Sequence, residues 1–140
     1  MGQGRTGCVF CGIRDGRLPA SRLAENGRAF AIMDIHPLSD GHTLIIPTVH
    51  SETLFEIGEE DWLAVASLAR RVAGGIRKGL SPDGLSLIQA NGRAAFQSIP
   101  HFHLHLIPRW DGDSVGFDWP LVPGDPERIR SLADKIRASL

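Results

Sequence analysis

The chain has 140 residues and a mass of 15.2 kDa, the size of a single domain, and 42% of its residues are hydrophobic, enough for a core without disulfide bonds. This composition excludes disordered and fibrous proteins. The 15 Lys and Arg residues nearly balance the 16 Asp and Glu residues, so the net charge of -1 argues against nonspecific binding to nucleic acid or to an anionic membrane.

The first half of the chain predicts two neighbouring strands and a long helix. Arg28–Asp34 is a short apolar-rich run, and after a turn β-branched residues follow in His42–Pro47. Apolar side chains then recur at helical spacing from Glu59 to Leu80, with acidic residues in the first turn and a Ser-Pro-Asp-Gly turn after the last. This spacing predicts a helix over residues 59–80.

The second half predicts two further strands and a terminal helix. Leu85–Gln89 is typical of a strand, and His101–Ile107 alternates polar and apolar residues with the period of a strand. Asp125 and Pro126, a capping residue and a proline suited to the first helical position, precede apolar residues at helical spacing. Because the regular βαβ alternation of a parallel sheet is missing, we predict one α+β domain, residues 1–140, with an antiparallel sheet.

The N-terminal segment and the lack of long apolar runs indicate a cytoplasmic protein. No apolar run approaches the ~20 residues that span a bilayer, and residues 1–7 lack the apolar stretch of a signal peptide. Gly2, Gly4 and Gly7 match the letters of a dinucleotide-binding motif, but no strand precedes them and no helical pattern follows. We therefore predict that residues 1–7 are flexible, and we expect no membrane or nucleic-acid partner.

Cys8 and Cys11 are three positions apart and indicate metal or redox chemistry. Two cysteines this close cannot form a framework of structural disulfides. A thioredoxin-like redox pair requires a preceding strand and a following helix, and the sequence shows neither near the N-terminus. A zinc site requires further ligands, which the histidines can supply.

Three of the six histidines lie at alternating positions, His101, His103 and His105. In a strand such residues share one face and lie about 6.6 Å apart, while the apolar residues between them pack against the other face. Imidazole titrates near neutral pH and can act as a nucleophile, a base or a donor to an anion. The row therefore predicts a site that binds and attacks a phosphate; the alternatives are a catalytic zinc held by all three histidines or an exposed polar stripe.

The sequence His-Phe-His-Leu-His-Leu-Ile at 101–107 resembles the HφHφHφφ signature of the histidine triad (HIT) superfamily, where φ is apolar. The likeness extends through Phe30–Pro47, His50 and residues 97–99, and the Cys-Val-Phe-Cys start at 8–11 is similar to that of small bacterial HIT proteins. The resemblance implies an α+β meander with a five-stranded antiparallel sheet, one long helix and a C-terminal helix. It also implies a homodimer that hydrolyses or transfers purine nucleotides at the α-phosphate.

The resemblance assigns catalytic roles within and just before the triad. His103 is expected to attack the α-phosphorus of a nucleoside phosphoramidate or AMP-amine and form a nucleotidyl-histidine, with no strict need for Mg²⁺. His105 and, when it is not bound to a metal, His101 are expected to stabilise the phosphate oxygens. Gln97 and Ser98 are expected beside the α-phosphate and the leaving group, with an ordinary polar turn as the alternative.

The same resemblance implies a nucleotide site at the end of the first predicted strand. Asp34 is expected to accept hydrogen bonds from the ribose hydroxyls. Phe30, Ile32 and Ile35 are expected to line the base pocket, with a place in the core as the alternative for each. Asn91 is expected near the phosphate or, alternatively, in a simple Asn-Gly turn. The choice between adenine and guanine stays open.

The bacterial relatives also imply a closed zinc site with the ligands Cys8, Cys11, His50 and His101. Four nitrogen and sulfur ligands with no open position are typical of a structural zinc. In that case His101 is committed to the metal, and His103 and His105 carry the chemistry.

The remaining candidates have no assigned role in catalysis. His36 and His42 are expected to be loop histidines with ordinary hydrogen bonds. Arg109 is expected to form a surface ion pair, with a contact to a phosphate as the alternative. The segment Trp110–Pro123 has two open roles, closure over the leaving group or a dimer contact. A dinucleoside polyphosphate hydrolase and a nucleotide-binding or signalling protein with little turnover are the alternative functions.

Overall fold

A five-stranded antiparallel sheet is the centre of the fold in the computed structural model, which describes residues 7–117 and 119–140. In this part of the chain the strands are β1 (Arg22–Glu25), β2 (Ala29–Met33), β3 (Thr43–Pro47), β4 (Gly84–Gln89) and β5 (Leu104–Arg109). The helices are α1 (Val9–Arg14), α2 (Glu59–Leu80) and α3 (Pro126–Ala138), and a 3₁₀ turn covers Arg93–Ala95. The predicted α+β class, with its five-stranded sheet, long helix and C-terminal helix, is confirmed.

The strands lie in the order β1-β2-β3-β5-β4, so β5 is inside the sheet and β4 is at its edge. Strands β1 to β3 form a simple meander, and the chain then crosses through α2 to the far edge before β5 returns between β3 and β4. In this register His105 lies opposite Leu44 of β3 and Ile88 of β4. The topology therefore places the histidine-bearing strand in the interior of the sheet.

The two faces of the sheet carry different partners. One face packs against the apolar stripe of α2, and we call this group the first core cluster: Ala29, Ala31, Ile45, Val65, Leu68, Ala69, Val72, Ile76, Phe102, Leu104 and Leu106. The other face packs against α1, and its buried residues form the second core cluster: Phe10, Ile13, Phe30, Ile32, Leu44 and Ile46. Since side chains alternate along a strand, His105 of β5 lies on the α1 side, and Phe10 of α1 contacts the rings of His101 and His103.

The helix termini follow standard capping chemistry. Three acidic residues occupy the first turn of α2, where the positive end of the helix dipole stabilises them, and Ser81 ends the helix in a left-handed conformation with φ 49°. The carboxylate of Asp125 accepts hydrogen bonds from the backbone N–H groups of Glu127 and Arg128 at the start of α3. Within residues 7–117 and 119–140, no helix combines the length and apolar character needed to cross a bilayer.

Two predictions about local structure differ from the structure, and one strand was not predicted. The strand predicted over His101–Ile107 begins only at Leu104, because the N–H of Phe102 bonds to the Ser51 carbonyl and that of His101 to the Ile99 carbonyl. Contrary to expectation, a helix follows Cys8 directly, since its sulfur caps α1. Strand β1 was not predicted. The segment predicted to be flexible, residues 1–7, lies outside the described residues except for residue 7. The glycines at positions 2 and 4 also lie outside them.

Candidate active site

A cavity of about 720 Å³ opens on the α1 side of the sheet. One wall comes from α1 and the loop after it, and the opposite wall from the end of β2 and residues 34–38. Its floor includes Leu44, Ile88 and His105 from the three neighbouring strands. Most of the lining is apolar, and this size is typical of pockets that enclose small organic ligands. The polar side chains that also line the cavity are Asp34, His36, His42, Ser98, His103 and His105.

His103 is buried at the cavity surface with a defined tautomer. Its Nδ1 lies 2.7 Å from the carbonyl oxygen of His101. A carbonyl can only accept, so Nδ1 carries the proton and Nε2 keeps its lone pair. Burial lowers the pKa of His103, and the bond to the carbonyl and the charge of Asp34 only partly offset this effect. The ring is therefore a neutral imidazole with one nitrogen free to attack.

His105 is the second triad histidine at the cavity, and its ring centroid lies 4.9 Å from that of His103. Its Nδ1 lies 2.9 Å from Nε2 of His42. Burial, followed by the neighbouring rings of His103 and His42, lowers the pKa of His105 to about 4, while Asp34 opposes the shift. At neutral pH it is an uncharged ring that can donate one hydrogen bond.

A chain of hydrogen bonds that begins at the backbone decides which nitrogen of His105 carries the proton. The N–H of Leu38 donates to Nδ1 of His42 at 3.0 Å, so the proton of neutral His42 is on Nε2. This Nε2–H donates to Nδ1 of His105, which leaves the His105 proton on Nε2. Burial lowers the pKa of His42, against the opposing effect of Asp34, whose carboxylate lies 3.4 Å from its Nε2.

Sequence reasoning missed the contact of His42 with the site. The ring has ordinary hydrogen bonds, as expected, but it lies in the cavity wall rather than in an unrelated loop. Its position two residues before Leu44, on the same side of the chain as the cavity floor, is the signal that could have indicated this. Gly41 fixes the turn before it with a φ of +88°, and a Cβ there would collide with Leu80 and Pro108.

The predicted nucleotide-binding residues divide between the cavity and the core. Asp34 and the 83% exposed Ile35 line the cavity, as does Ile32. Asp34 also accepts a hydrogen bond from the backbone of His36 through Oδ1, at 2.8 Å. Phe30 is 3% exposed and packs in the second core cluster, apart from the described residues that line the cavity. For Phe30 the alternative of a core position is therefore the one observed.

Of Asn91, Gln97 and Ser98, only Ser98 is in the described cavity lining. Gln97 accepts a hydrogen bond from the Gly92 N–H at 2.7 Å and donates to the carbonyls of Glu52 and Ile99 at 2.6 and 3.0 Å. Asn91 accepts from the Leu54 N–H at 2.6 Å. Gln97 and Asn91 thus hold the loop before the triad against residues 52–54.

Arg109, at the end of β5, forms the predicted ion pair. Its Nε and Nη2 each lie 2.8 Å from a different carboxylate oxygen of Asp113, and Nη2 also donates to the Val115 carbonyl. Through these bonds the guanidinium group of Arg109 holds the turn after β5.

Four side chains from distant parts of the chain form a Cys/His cluster, namely Cys8, Cys11, His50 and His101, and their ligand atoms all lie within 4.8 Å of one another. Cys11 Sγ lies 3.3 Å from His50 Nδ1 and 3.6 Å from His101 Nδ1, while Cys8 Sγ lies 3.5 Å from His101 Nδ1. His101 is fully buried, and its Nε2 donates to the Pro47 carbonyl at 2.9 Å. Its Nδ1 therefore presents a lone pair to the two sulfur atoms, so the residues fit a closed metal site.

Comparison with known proteins identifies the family. The family model described as HIT domain matches residues 15–112. The chain belongs to the HIT family. This HIT protein is 34% identical over 134 residues to adenosine 5′-monophosphoramidase hnt1 of Schizosaccharomyces pombe, a match covering 95% of this chain and 98% of that protein.

Solved structures support the same assignment. A HIT family protein from Bacillus anthracis has a TM-score of 0.89 and 34% identity to this HIT protein, covering 96% of this chain and 97% of that one. A Zn-bound histidine triad family protein from Mycobacterium smegmatis has a TM-score of 0.76 and 34% identity, covering 98% and 100%. The Cys/His cluster of this HIT protein could hold a metal ion, and a member of the same family contains zinc.

Proposed function

We propose that this HIT protein cleaves purine nucleoside phosphoramidates or AMP-amines at the α-phosphate through a nucleotidyl-histidine intermediate on His103. The observation that carries the proposal is the His103 tautomer: Nδ1 is bound to the His101 carbonyl at 2.7 Å, on a ring that lines a cavity of about 720 Å³. The relatives from Schizosaccharomyces pombe and Saccharomyces cerevisiae, 34% and 35% identical, are named adenosine 5′-monophosphoramidases.

In the first step, the Nε2 lone pair of His103 attacks the α-phosphorus. The N–P bond to this nitrogen forms, the bond from phosphorus to the substrate amine breaks, and the departing amine takes up a proton from solvent, to which the attacking water returns one proton in the second step. The imidazole becomes positively charged, and the His101 carbonyl stabilises it through Nδ1–H. His105 donates from Nε2 to a non-bridging phosphate oxygen, where negative charge increases in the transition state.

In the second step, water attacks the same phosphorus and breaks the bond to His103. The products are the nucleoside monophosphate and the original neutral imidazole, so the cycle closes with one water consumed. Neither reaction step requires the proton of His103 to move from Nδ1 to Nε2. A fixed tautomer therefore serves both steps.

Substrate recognition is assigned to the walls of the cavity. Asp34 is assigned the ribose hydroxyls, from which its carboxylate would accept hydrogen bonds; its position in the cavity lining beside His42 supports this role. The purine is assigned to the apolar walls that include Ile32 and Ile35, and Ser98 is assigned to the leaving-group side of the phosphate. Gln97 and Asn91 act on this region by holding the loop that carries Ser98.

We further propose that the Cys/His cluster binds a structural zinc ion. Two sulfur atoms and two imidazole nitrogens within 4.8 Å of one another are a donor set that zinc prefers, and four protein ligands leave no open position for a substrate. When bound, the ion supplies a cross-link between the N-terminal segment and the sheet. The homodimer, the cytoplasmic location and activity without Mg²⁺ stay predictions.

The experiment compares the purified protein with the variant His103→Asn on adenosine 5′-phosphoramidate and on AMP-lysine, with AMP release followed by chromatography. The asparagine amide can still donate to the His101 carbonyl but has no nucleophilic nitrogen, so kcat/KM is expected to fall by about a thousandfold. Lys78→Asn, at an exposed position of α2 outside the cavity lining, is the control. Rapid quenching of the unmodified protein in an alkaline denaturant, which preserves the acid-labile P–N bond, should trap a nucleotide adduct, detectable by mass and absent from His103→Asn.

A full rate in His103→Asn would refute the assignment. Tight AMP binding without turnover of phosphoramidates or dinucleoside polyphosphates would show that the protein binds nucleotides but is not a hydrolase. Turnover of dinucleoside polyphosphates alone would change the proposed substrate class, with His103 still assigned as the nucleophile.

A further inference from the structure

Helix α1 and its N-cap residue contribute side chains both to the Cys/His cluster and to the cavity wall. Cys8 caps its first turn and Cys11 lies in its middle, and both are members of the cluster. Val9, Phe10 and Ile13 of the same helix line the cavity. Any change in the position of this helix therefore moves the cluster ligands and the cavity wall together.

The position of α1 depends on tertiary contacts. The helix has six residues, far below the ~12–15 that an isolated helix needs for stability, so contacts with the rest of the fold must hold it. Phe10 and Ile13 are buried in the second core cluster, and Arg14 donates to the Thr48 carbonyl at 2.9 Å. Arg22 of β1 donates to the carbonyls of Ile13 and Arg14 at 2.5 and 3.3 Å. The Cys/His cluster is a further attachment, and it holds the first half of the helix.

The first core cluster does not include α1. Its members come from the sheet, from α2 and from Phe102, and α1 lies on the opposite face. Removal of a metal ion from the Cys/His cluster is therefore expected to loosen α1 and leave the main core in place.

Phe10 connects the cluster to the nucleophile. Its ring centroid lies 5.7 Å from that of His101, a cluster member, and 5.1 Å from that of His103, with interplanar angles of 88° and 67°. Both are edge-to-face contacts, which are geometrically specific. The Phe10 side chain is 3% exposed and also lines the cavity, so one ring contacts the cluster, the nucleophile and the space assigned to the nucleotide.

We propose that Phe10 is a positioning residue that couples the Cys/His cluster to the cavity, so that a bound zinc ion increases nucleotide affinity and a bound nucleotide increases zinc affinity. The proposal rests on the nucleotide site of the proposed function. Zinc holds α1 against the sheet, and Phe10 transmits that position to the cavity wall and to His103. Because coupling between two binding sites is reciprocal, both affinities must change by the same factor.

The experiment measures AMP binding by calorimetry, in reducing buffer, to zinc-loaded protein and to protein stripped with a chelator. We expect the loaded form to bind AMP at least about fivefold more tightly, the lower end of typical coupling between sites. The reciprocal measurement is zinc affinity, by competition with a chelator, with and without saturating AMP. It should change by the same factor.

Three variants locate the coupling. In Phe10→Ala the coupling factor should fall close to one in both measurements. Val9→Ala removes another cavity-lining side chain of α1, and it should weaken AMP binding equally in the loaded and stripped forms. Leu68→Ala damages the first core cluster and should lower stability without changing the coupling factor.

The outcomes separate the coupling from the proposed function. Equal AMP affinities in the two forms, with the stripped protein folded by circular dichroism, overturn the coupling and leave the nucleotide site intact. The absence of AMP binding in both forms overturns the proposed function and the coupling with it. If the stripped protein unfolds, the zinc affinity measured with and without saturating AMP decides. If AMP still increases the zinc affinity of Phe10→Ala by the same factor, the coupling arises from global folding, and the role of Phe10 is overturned.

Discussion

Acidification is expected to destabilise the folded protein through His105, because burial makes this ring hard to protonate in the native state. The pKa of His105 falls from 6.5 to about 4 on folding. Between these values the unfolded chain binds a proton that the native protein refuses, so stability falls as the pH falls. The contribution is fully present above about pH 6.5, the unfolded value, and is lost progressively towards pH 4.

The size of the effect follows from the same values. A lowering of the pKa from 6.5 to about 4, at about 1.36 kcal/mol per pKa unit, corresponds to about 3 kcal/mol of stability lost on acidification to pH 4. The groups that face His105 are His103, His42 and Asp34. All three are present both in the unmodified protein and in a variant that replaces only His105. A replacement of His105 that cannot titrate should remove this dependence and leave the other groups in place.

The assay is urea unfolding of the unmodified protein and of His105→Gln, followed by tryptophan fluorescence from about pH 7.5 to about pH 4. The two proteins must carry the same metal content, so that protonation of the Cys/His cluster affects both equally. The difference in unfolding free energy should shift by about 3 kcal/mol across this range in favour of the variant. Lys78→Gln, at an exposed position of α2, should follow the unmodified protein. Parallel curves for the unmodified protein and His105→Gln would refute the argument.

Two further predictions test the site and the core. His42→Asn removes the donor that fixes the His105 tautomer, so kcat should fall about tenfold or more with little change in KM, and the acidic limb of the pH–rate profile should move to higher pH. An unchanged profile would contradict the positioning role of His42. Phe102→Ala should lower the urea-unfolding free energy by about 3–5 kcal/mol, because the ring is fully buried against Trp62. Phe55→Ala, at an 88% exposed ring, should change the same free energy by less than about 0.5 kcal/mol, and equal losses in both variants would contradict this account.

The periodic elements could be predicted well from the sequence. The bounds of α2, Glu59–Leu80, agree with the prediction because 22 residues display the helical period over six turns. Strands β2 and β3 differ from the predicted runs by one residue at either end of β2 and at the start of β3. The alternation at 101–107 also placed the histidines and the intervening apolar residues on opposite faces.

Short elements and long-range contacts could not be predicted in the same way. Helix α1 and strand β1 have six and four residues, too few to show a period. The bonds that turn Gln97 and Asn91 into scaffold residues reach Glu52 and Leu54, 45 and 37 positions away. Such pairings are set by how the loops meet in space, and local propensity does not contain that information.

The protonation pattern of the site begins at main-chain atoms, the Leu38 N–H for His105 and the His101 carbonyl for His103. Almost every amino acid supplies the same amide hydrogen at position 38, so most single replacements there leave the donor in place, and proline is the exception. An insertion or deletion between Asp34 and His42 would instead displace the amide from the ring it orients. The tautomer of His105 therefore tolerates most substitutions at position 38 but depends on the number of residues between Asp34 and His42.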